Sequence, residues 1–145
     1  MSGHTLQEVG LAIKRVQIRH HRALDSRLSK LGLSLVQWDA LRHLSSSPDA
    51  SLHELAQLTF QSDQAFGTLA ARMVDRGLIE RLDRPGRAVR HHITAKGAKL
   101  FAAGGAIADE VFVDSFAPLS PRELDTLGDL LDVLTADRSA PLTRP

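Results

Sequence analysis

The chain has 145 residues, a net charge of +1, 43% hydrophobic residues and 24% charged residues. These values suit one compact domain, or a small domain that carries oligomerisation helices. The sequence contains no cysteine, so disulfide frameworks, thiol chemistry and thiolate metal sites are excluded. No apolar run reaches the length of a membrane span and no signal-peptide core is present, which predicts a cytoplasmic protein.

Charge is unevenly distributed along the sequence. Residues 62–99 carry eight Lys and Arg against four Asp and Glu, whereas residues 100–145 carry three against eight. Arginine accounts for fourteen of the 18 basic residues, and it is the better residue for bidentate contacts to phosphate or guanine. This asymmetry favours an anionic partner, such as a nucleic acid, at the middle of the chain.

Helical patterns dominate the first half. Apolar residues at helical spacing predict a long helix from about Thr5 to a stop at Gly32, and its length suggests that part of it packs outside its own domain. Three shorter helices follow, with serine N-caps at Ser34, Ser51 and Ser62 and a predicted capping box from Ser51 to Glu54. Their predicted inward-facing residues are Leu35, Trp38, Leu41 and Leu44, then Leu52, Leu55, Ala56 and Leu58, and finally Phe66, Leu69, Ala70 and Met73, before a stop at Gly77.

A short strand-like region follows these helices. LIERL (78–82) and AVRHHIT (88–94) predict a two-stranded hairpin around the basic turn DRPGR. Thr94 then caps another helix, in which Gly104-Gly105 predicts either a bend or a close contact.

The last predicted helix begins with Ser120 as N-cap, Pro121 at its first position and Glu123 completing a capping box. Its apolar seam and that of the first helix would be poorly covered in a lone domain, which predicts a homodimer. These two seams are formed by Leu124, Leu127, Leu131 and Leu134, and by Val9, Ile13 and Val16.

The central order is helix, short helix, helix, strand, basic turn and strand, which predicts a winged helix-turn-helix in a mainly α fold with a small β-hairpin. The second helix of the motif would present a polar outer face, and its N-terminal N–H groups suit a phosphate. Gln can pair with adenine, Arg can reach guanine or phosphate, and a small Ala admits a thymine methyl group. The predicted DNA-binding residues are Ser62, Gln64, Ala65, Thr68, Arg72, Arg84, Arg87 and Arg90.

Residues 34–101 resemble the multiple-antibiotic-resistance regulator (MarR) family of bacterial winged-helix repressors. The resemblance is carried by LSLVQWDALRHL, LHELA, RMVDRGLIER, GRAVRHHIT and TAKG, in that order. It implies a dimeric repressor that binds a pseudo-palindromic operator in double-stranded DNA and is released by a small-molecule effector. The implied organisation is a single domain over 1–145, with dimerisation helices at 1–32 and 95–137, the winged helix-turn-helix at 34–94 and a tail at 138–145.

The wing departs from the family pattern. Family wings usually carry an Asp-x-Arg-Arg-like tip; here Arg87, six residues before Ile93, matches the arginine, but Pro85 stands in place of the aspartate. The turn is also shorter. We therefore expect Pro85-Gly86 turn geometry, rather than an Asp–Arg pair, to hold the wing.

The resemblance also implies a ligand pocket between the dimerisation helices and the winged helix. Arg15, Arg19, Trp38 and His43 are the candidates to line it and to bind a small anionic or aromatic effector. Trp38 has packing as its alternative role.

No cofactor, metal site or enzymatic activity is predicted. The side chains of His20-His21 and of His91-His92 diverge on a helix and on a strand, whereas zinc needs three or four converging ligands. No Ser-His-Asp grouping, Gly-rich phosphate loop or His-Glu-x-x-His motif is present. Two alternatives stay open: a metal-responsive DNA-binding regulator that uses histidines from two chains, and a helical interaction module that has lost DNA binding.

Overall fold

The structure is a computed structural model that describes residues 3–136, and its elements follow the predicted order. The elements are α1 (Leu6–Leu28) with a 3₁₀ turn after it (Ser29–Leu31), α2 (Leu35–Ser46), α3 (Leu52–Leu58), α4 (Asp63–Asp75), β1 (Ile79–Leu82), β2 (Arg90–Ile93), α5 (Ala95–Phe116) and α6 (Pro121–Thr135). The predicted fold class, mainly α with a small β-hairpin, is confirmed.

Serine side chains start the helices of the central region. The Ser34 hydroxyl accepts a hydrogen bond from the Gln37 N–H at 3.2 Å, and the Gln37 side chain accepts one from the Ser34 N–H. At α3 the Ser51 hydroxyl accepts from the Glu54 N–H, but the Glu54 carboxylate accepts from the Ser51 hydroxyl instead of its N–H. The capping box predicted at Ser51 is therefore only half formed.

Two compact units divide the chain, and the boundary between them falls between Val111 and Phe112, inside α5. The first unit contains the central core, in which six large side chains are fully buried: Leu28, Leu33, Leu41, Leu55, Met73 and Leu78. The prediction for α3 was wrong at Leu58, which is 41% exposed. In this short helix Leu55 and Ala56 are buried and Leu52 is half-buried, whereas Leu58 lies outside the face that these residues form.

Antiparallel pairing of β1 with β2 builds the wing, with Ile79 opposite Ile93 and Leu82 opposite Arg90. The loop end of this hairpin is joined to the start of α3. The Leu52 N–H donates to the Val89 carbonyl at 3.1 Å, and an isolated bridge pairs Ser51 with Arg90. The loop end of the hairpin is thus hydrogen-bonded to the helix-turn-helix.

Glycine allows two close approaches to α5. A Cβ atom on Gly104 would lie 2.4 Å from Cδ1 of Trp38, whereas one on Gly105 would meet nothing within 4 Å. A Cβ atom on Gly97 would lie 2.0 Å from the carbonyl oxygen of Leu78. Of the two possibilities predicted for Gly104-Gly105, the structure shows the close contact.

The second unit contains the end of α5 and α6. The Phe112 and Phe116 rings stack with centroids 6.1 Å apart. The predicted capping box of α6 is formed, since Ser120 and Glu123 exchange hydrogen bonds of 2.9 and 3.2 Å. The tail predicted at 138–145 lies outside the described residues, and the single domain over 1–145 stays a prediction.

Candidate nucleic-acid interface

The outer face of α4 is polar and exposed. Burial of Phe66, Leu69, Ala70 and Met73 fixes how the helix sits on the core, as predicted. The opposite face therefore points to solvent, and it carries four of the predicted DNA-binding residues: Gln64, Ala65, Thr68 and Arg72. The Thr68 hydroxyl donates to the Gln64 carbonyl at 3.1 Å, which leaves its lone pairs available as acceptors.

The side chains of Ser62 and Asp63 already make hydrogen bonds at the N-terminus of α4. The Ser62 hydroxyl accepts from the Ala65 N–H at 3.1 Å, so one of the helix's free donors is already satisfied. Asp63, in the first turn, lies 2.8 Å from Nδ1 of the His53 side chain on α3. A phosphate approaching this helix end would meet the Asp63 carboxylate, which a protonated His53 would partly neutralise. Sequence reasoning missed this pair because it depends on how two helices meet.

A four-residue turn forms the tip of the wing. The Arg87 N–H donates to the Arg84 carbonyl at 3.1 Å, and Gly86 has a φ of +74°. Pro85 at the second position and a left-handed Gly86 at the third describe a type II turn. The turn expected at Pro85-Gly86 is therefore formed, and it leaves Arg84 and Arg87 exposed. The hairpin also contains an Asp–Arg pair, between Asp83 and Arg81.

Most arginines of residues 34–94 have hydrogen-bond or ion-pair partners in the part of the chain that the structure describes, but those on α4 and at the wing tip do not. Residues 34–94 contain seven arginines, and four of them have partners: Arg42 with Asp39, Arg76 with Gln37, Arg81 with Asp83, and Arg90 with the Asp49 carbonyl. Within residues 3–136 no side-chain hydrogen bond or ion pair engages the other three, Arg72, Arg84 and Arg87. The unneutralised arginines of this region thus lie on the outer face of α4 and at the wing tip.

Arg90 is placed differently from the other predicted DNA-binding arginines. Its guanidinium donates to the Asp49 carbonyl, and the residue is half-buried in the bridge with Ser51. Arg90 therefore ties β2 to the loop between α2 and α3. We expect it to position the wing more than to contact DNA.

The four candidate ligand residues lie on α1 and α2. Arg15 and Arg19 are exposed on α1, and His43 is half-buried beside Asp39 and Arg42. Trp38 packs on Gly104, stacks on Phe101 at 5.9 Å, and donates its indole N–H to the Phe101 carbonyl at 3.2 Å. Among residues 3–136 no hydrogen bond or ion pair joins any two of the four candidates, so their pocket role stays a prediction.

The adjacent histidines of β2 face opposite ways, as predicted. His92 is exposed and lies 2.9 Å from the Glu80 carboxylate. His91 is buried, and its Nδ1 atom has no hydrogen-bond partner in the described part of the chain. Burial, and then the nearby Arg81, lower the pKa of His91 below its usual value. Over residues 3–136 no three His, Asp or Glu side chains converge as metal ligands.

The comparisons with known proteins agree with this geometry. The model of the MarR family matches residues 31–88. The HTH-type transcriptional repressor Rv2887 of Mycobacterium tuberculosis is 29% identical over 137 residues, which covers 93% of this chain and 94% of that protein. The chain is similar to proteins of the MarR family over most of its length. Members of the MarR family are transcriptional regulators.

Solved structures of MarR-family proteins share the fold. Rv2887 in complex with DNA has a TM-score of 0.77 and 27% identity, and the match covers 92% of this chain and all of that one. Rv2887 in complex with salicylic acid has a TM-score of 0.72 at 27% identity, with 92% and 98% covered. The oxidized form of MarR from E. coli, at 24% identity and a TM-score of 0.78, covers 92% and 96% and supports the fold alone. Among the described residues, none of the helices combines the length and apolar character of a membrane span.

Proposed function

We propose that this chain is a MarR-family regulator: a dimeric, sequence-specific DNA-binding repressor that acts in the cytoplasm and has no enzymatic activity. The observation that carries the proposal is the arginine pairing within residues 34–94. Three arginines there lack a side-chain partner in the described chain, and they are Arg72 on α4 and Arg84 and Arg87 on the wing. Unpaired guanidinium groups on a recognition helix and a wing tip suit the phosphates and base edges of a duplex.

In the proposed complex α4 enters the major groove. Gln64 would pair with adenine, Ala65 would leave room for a thymine methyl group, and Arg72 would reach guanine or phosphate. The wing would add backbone contacts from Arg84 and Arg87 beside the groove. Base contacts from α4 would set the sequence preference, whereas the wing arginines would contribute affinity for any duplex.

Apolar residues at both ends of the described chain support the dimer. On α1, Val9, Ile13 and Val16 are each nearly half exposed, and Leu6 is exposed almost completely. On α6, exposed leucines and a valine form a second surface: Leu124, Leu130, Leu131, Val133 and Leu134. Contact of such seams with a second copy would place two recognition helices about 34 Å apart on a pseudo-palindromic operator.

Release by a small molecule is the regulatory part of the proposal. Rv2887, similar to this chain over most of its length, has been crystallised with salicylic acid and with p-aminosalicylic acid. By this similarity, a small anionic aromatic compound would bind this chain and weaken its hold on the operator. Arg15, Arg19, Trp38 and His43 are the residues proposed to line the pocket, and Trp38 fluorescence would report occupancy.

The test is fluorescence anisotropy with duplex DNA from the upstream region of the protein's own gene and with scrambled DNA, across a salt series. We expect the affinity for upstream DNA to exceed the affinity for scrambled DNA by a factor on the order of 10³ or more. Equal binding to both duplexes, or no binding at low salt, would contradict the proposal.

Two variants with the same charge change sharpen this test. Arg87→Ala should weaken binding to every sequence and flatten the dependence of log K on log salt by about one unit per wing. Arg122→Ala, at an exposed position of α6, removes the same charge outside the winged-helix segment 34–94 and should leave the salt slope unchanged. Gln64→Ala should instead change preference at particular base pairs.

A further inference from the structure

Three helices of the chain end in the same hydrogen-bond motif. In each, a residue in the left-handed conformation is followed by an N–H that donates to the carbonyl five residues back. The three bonds run from Leu33 to Leu28 at 3.2 Å, from Gln61 to Ala56 at 2.8 Å and from Leu78 to Met73 at 2.9 Å. The motif is therefore a repeated way of ending helices in this chain.

The left-handed residue differs at one of the three ends. Gly32 and Gly77 occupy two of them, with φ angles of +73° and +72°. The third is Phe60, with φ of +56°, and it is the one left-handed residue other than glycine in residues 3–136. A large side chain is strained in this conformation, whereas glycine is not. The turn between α3 and α4 thus keeps a phenylalanine where glycine would be more stable.

Packing does not explain the phenylalanine. Phe60 is 98% exposed, so its ring contributes no core contact that could offset the backbone strain. The ring stands in the turn that leads into the proposed recognition helix, two residues before Ser62. Strain retained at an exposed position points to a contact made outside the chain.

We infer that Phe60 contacts DNA, by packing its ring on thymine methyl groups and deoxyribose at the edge of each operator half-site. It lies in the turn before α4, four residues before Gln64, and like Gln64, Ala65 and Thr68 it is exposed. Apolar contact is one of the ways a side chain reads thymine in the major groove. Because each of two subunits contributes one ring, the contact acts twice per operator. This inference rests on the proposed DNA-binding function.

The experiment compares Phe60→Gly, Phe60→Ala and Phe60→Tyr with the wild-type dimer. Phe60→Gly removes both ring and strain, so it should raise the melting temperature by a few degrees while weakening operator binding about tenfold or more. Phe60→Ala removes the ring but keeps the strained conformation, so it should weaken binding equally without the gain in stability. Phe60→Tyr keeps the ring and should bind operator DNA as the wild type does.

A second arm identifies the atoms that the ring touches. Operator DNA with deoxyuridine in place of thymidine lacks the methyl groups. Wild-type protein should bind this duplex several-fold more weakly than the thymine duplex, and Phe60→Gly should lose much less. An equal loss in both proteins would restrict the contact to deoxyribose.

Two outcomes would overturn the inference. If Phe60→Gly bound the operator as tightly as wild type, the ring would make no DNA contact; loss of repression in cells by that variant would then assign the ring to a protein partner. If Phe60→Gly lowered the melting temperature along with the affinity, the ring would have a structural role. Failure of the wild-type protein itself to discriminate operator from scrambled DNA would instead overturn the proposed function.

Discussion

Substitution of either glycine in the Gly104-Gly105 pair tests how closely α2 and α5 pack. Replacing glycine by alanine in a helix interior stabilises the helix by about 1 kcal/mol, and this gain applies to both positions. At Gly105 nothing opposes it, because a new Cβ atom meets no other atom within 4 Å. We therefore expect Gly105→Ala to raise the free energy of unfolding by about 1 kcal/mol.

Gly104→Ala should have the opposite sign. Its Cβ atom would lie 2.4 Å from Cδ1 and 2.6 Å from Nε1 of Trp38. The indole ring cannot move aside cheaply, since it stacks on Phe101 and donates its N–H to the Phe101 carbonyl. Overpacking of this kind costs about 1–3 kcal/mol, so after the helix gain the variant should be about 0–2 kcal/mol less stable than wild type.

The two variants are compared with the wild type by urea unfolding. All three are measured at one protein concentration, because association adds to stability. Trp38 is the single tryptophan of the chain, so its emission reports the disturbed contact directly. We expect the spectrum to shift in Gly104→Ala and to stay unchanged in Gly105→Ala. A Gly104→Ala variant as stable as Gly105→Ala would refute the close packing of Trp38 on α5.

Gly97→Ala should lower the free energy of unfolding in urea by at least about 3 kcal/mol, because its new Cβ atom would lie 2.0 Å from the backbone oxygen of Leu78, which cannot rotate away. A loss below about 1 kcal/mol would contradict the close packing of α5 on Leu78. Burial lowers the pKa of His91, with Arg81 adding to the effect, so the unfolded chain takes up the proton more readily than the folded one. Stability should then fall as the pH drops below about 6.5, and His91→Gln should reduce that fall in urea titrations at several pH values. Identical pH profiles for wild type and His91→Gln would rule out this linkage.

Local signals in the sequence were sufficient to locate the helices. Ser34 and Ser62 cap their helices and Gly77 ends α4 as predicted, because each bond joins residues a few positions apart. The buried stripe of α4 follows from helical spacing alone, and its polar outer face is the complement of that stripe. The α4 half of the candidate interface could therefore be predicted from the order of residues along the chain.

Interactions between distant residues were not predictable in this way. The bond from Arg90 to the Asp49 carbonyl joins residues 41 positions apart, and no local pattern places Asp49 beside β2. The glycine at position 97 gives no sign in the sequence that Leu78 lies against it. The left-handed conformation of Phe60 could not be predicted either, because helical and strand periodicities carry no information about a backbone angle in a turn.

The hydrogen bonds at the loop end of the hairpin allow the length of the wing loop to vary without affecting the rest of the fold. Leu52, Ser51 and Asp49 hold this end at Val89 and Arg90, while a single backbone bond between Arg84 and Arg87 closes the tip. Residues inserted at Pro85 or Gly86 would extend the tip into solvent and leave the bonds at Val89 and Arg90 in place. Insertions and deletions at this one turn can therefore lengthen or shorten the hairpin over evolutionary time without refolding the helices beneath it.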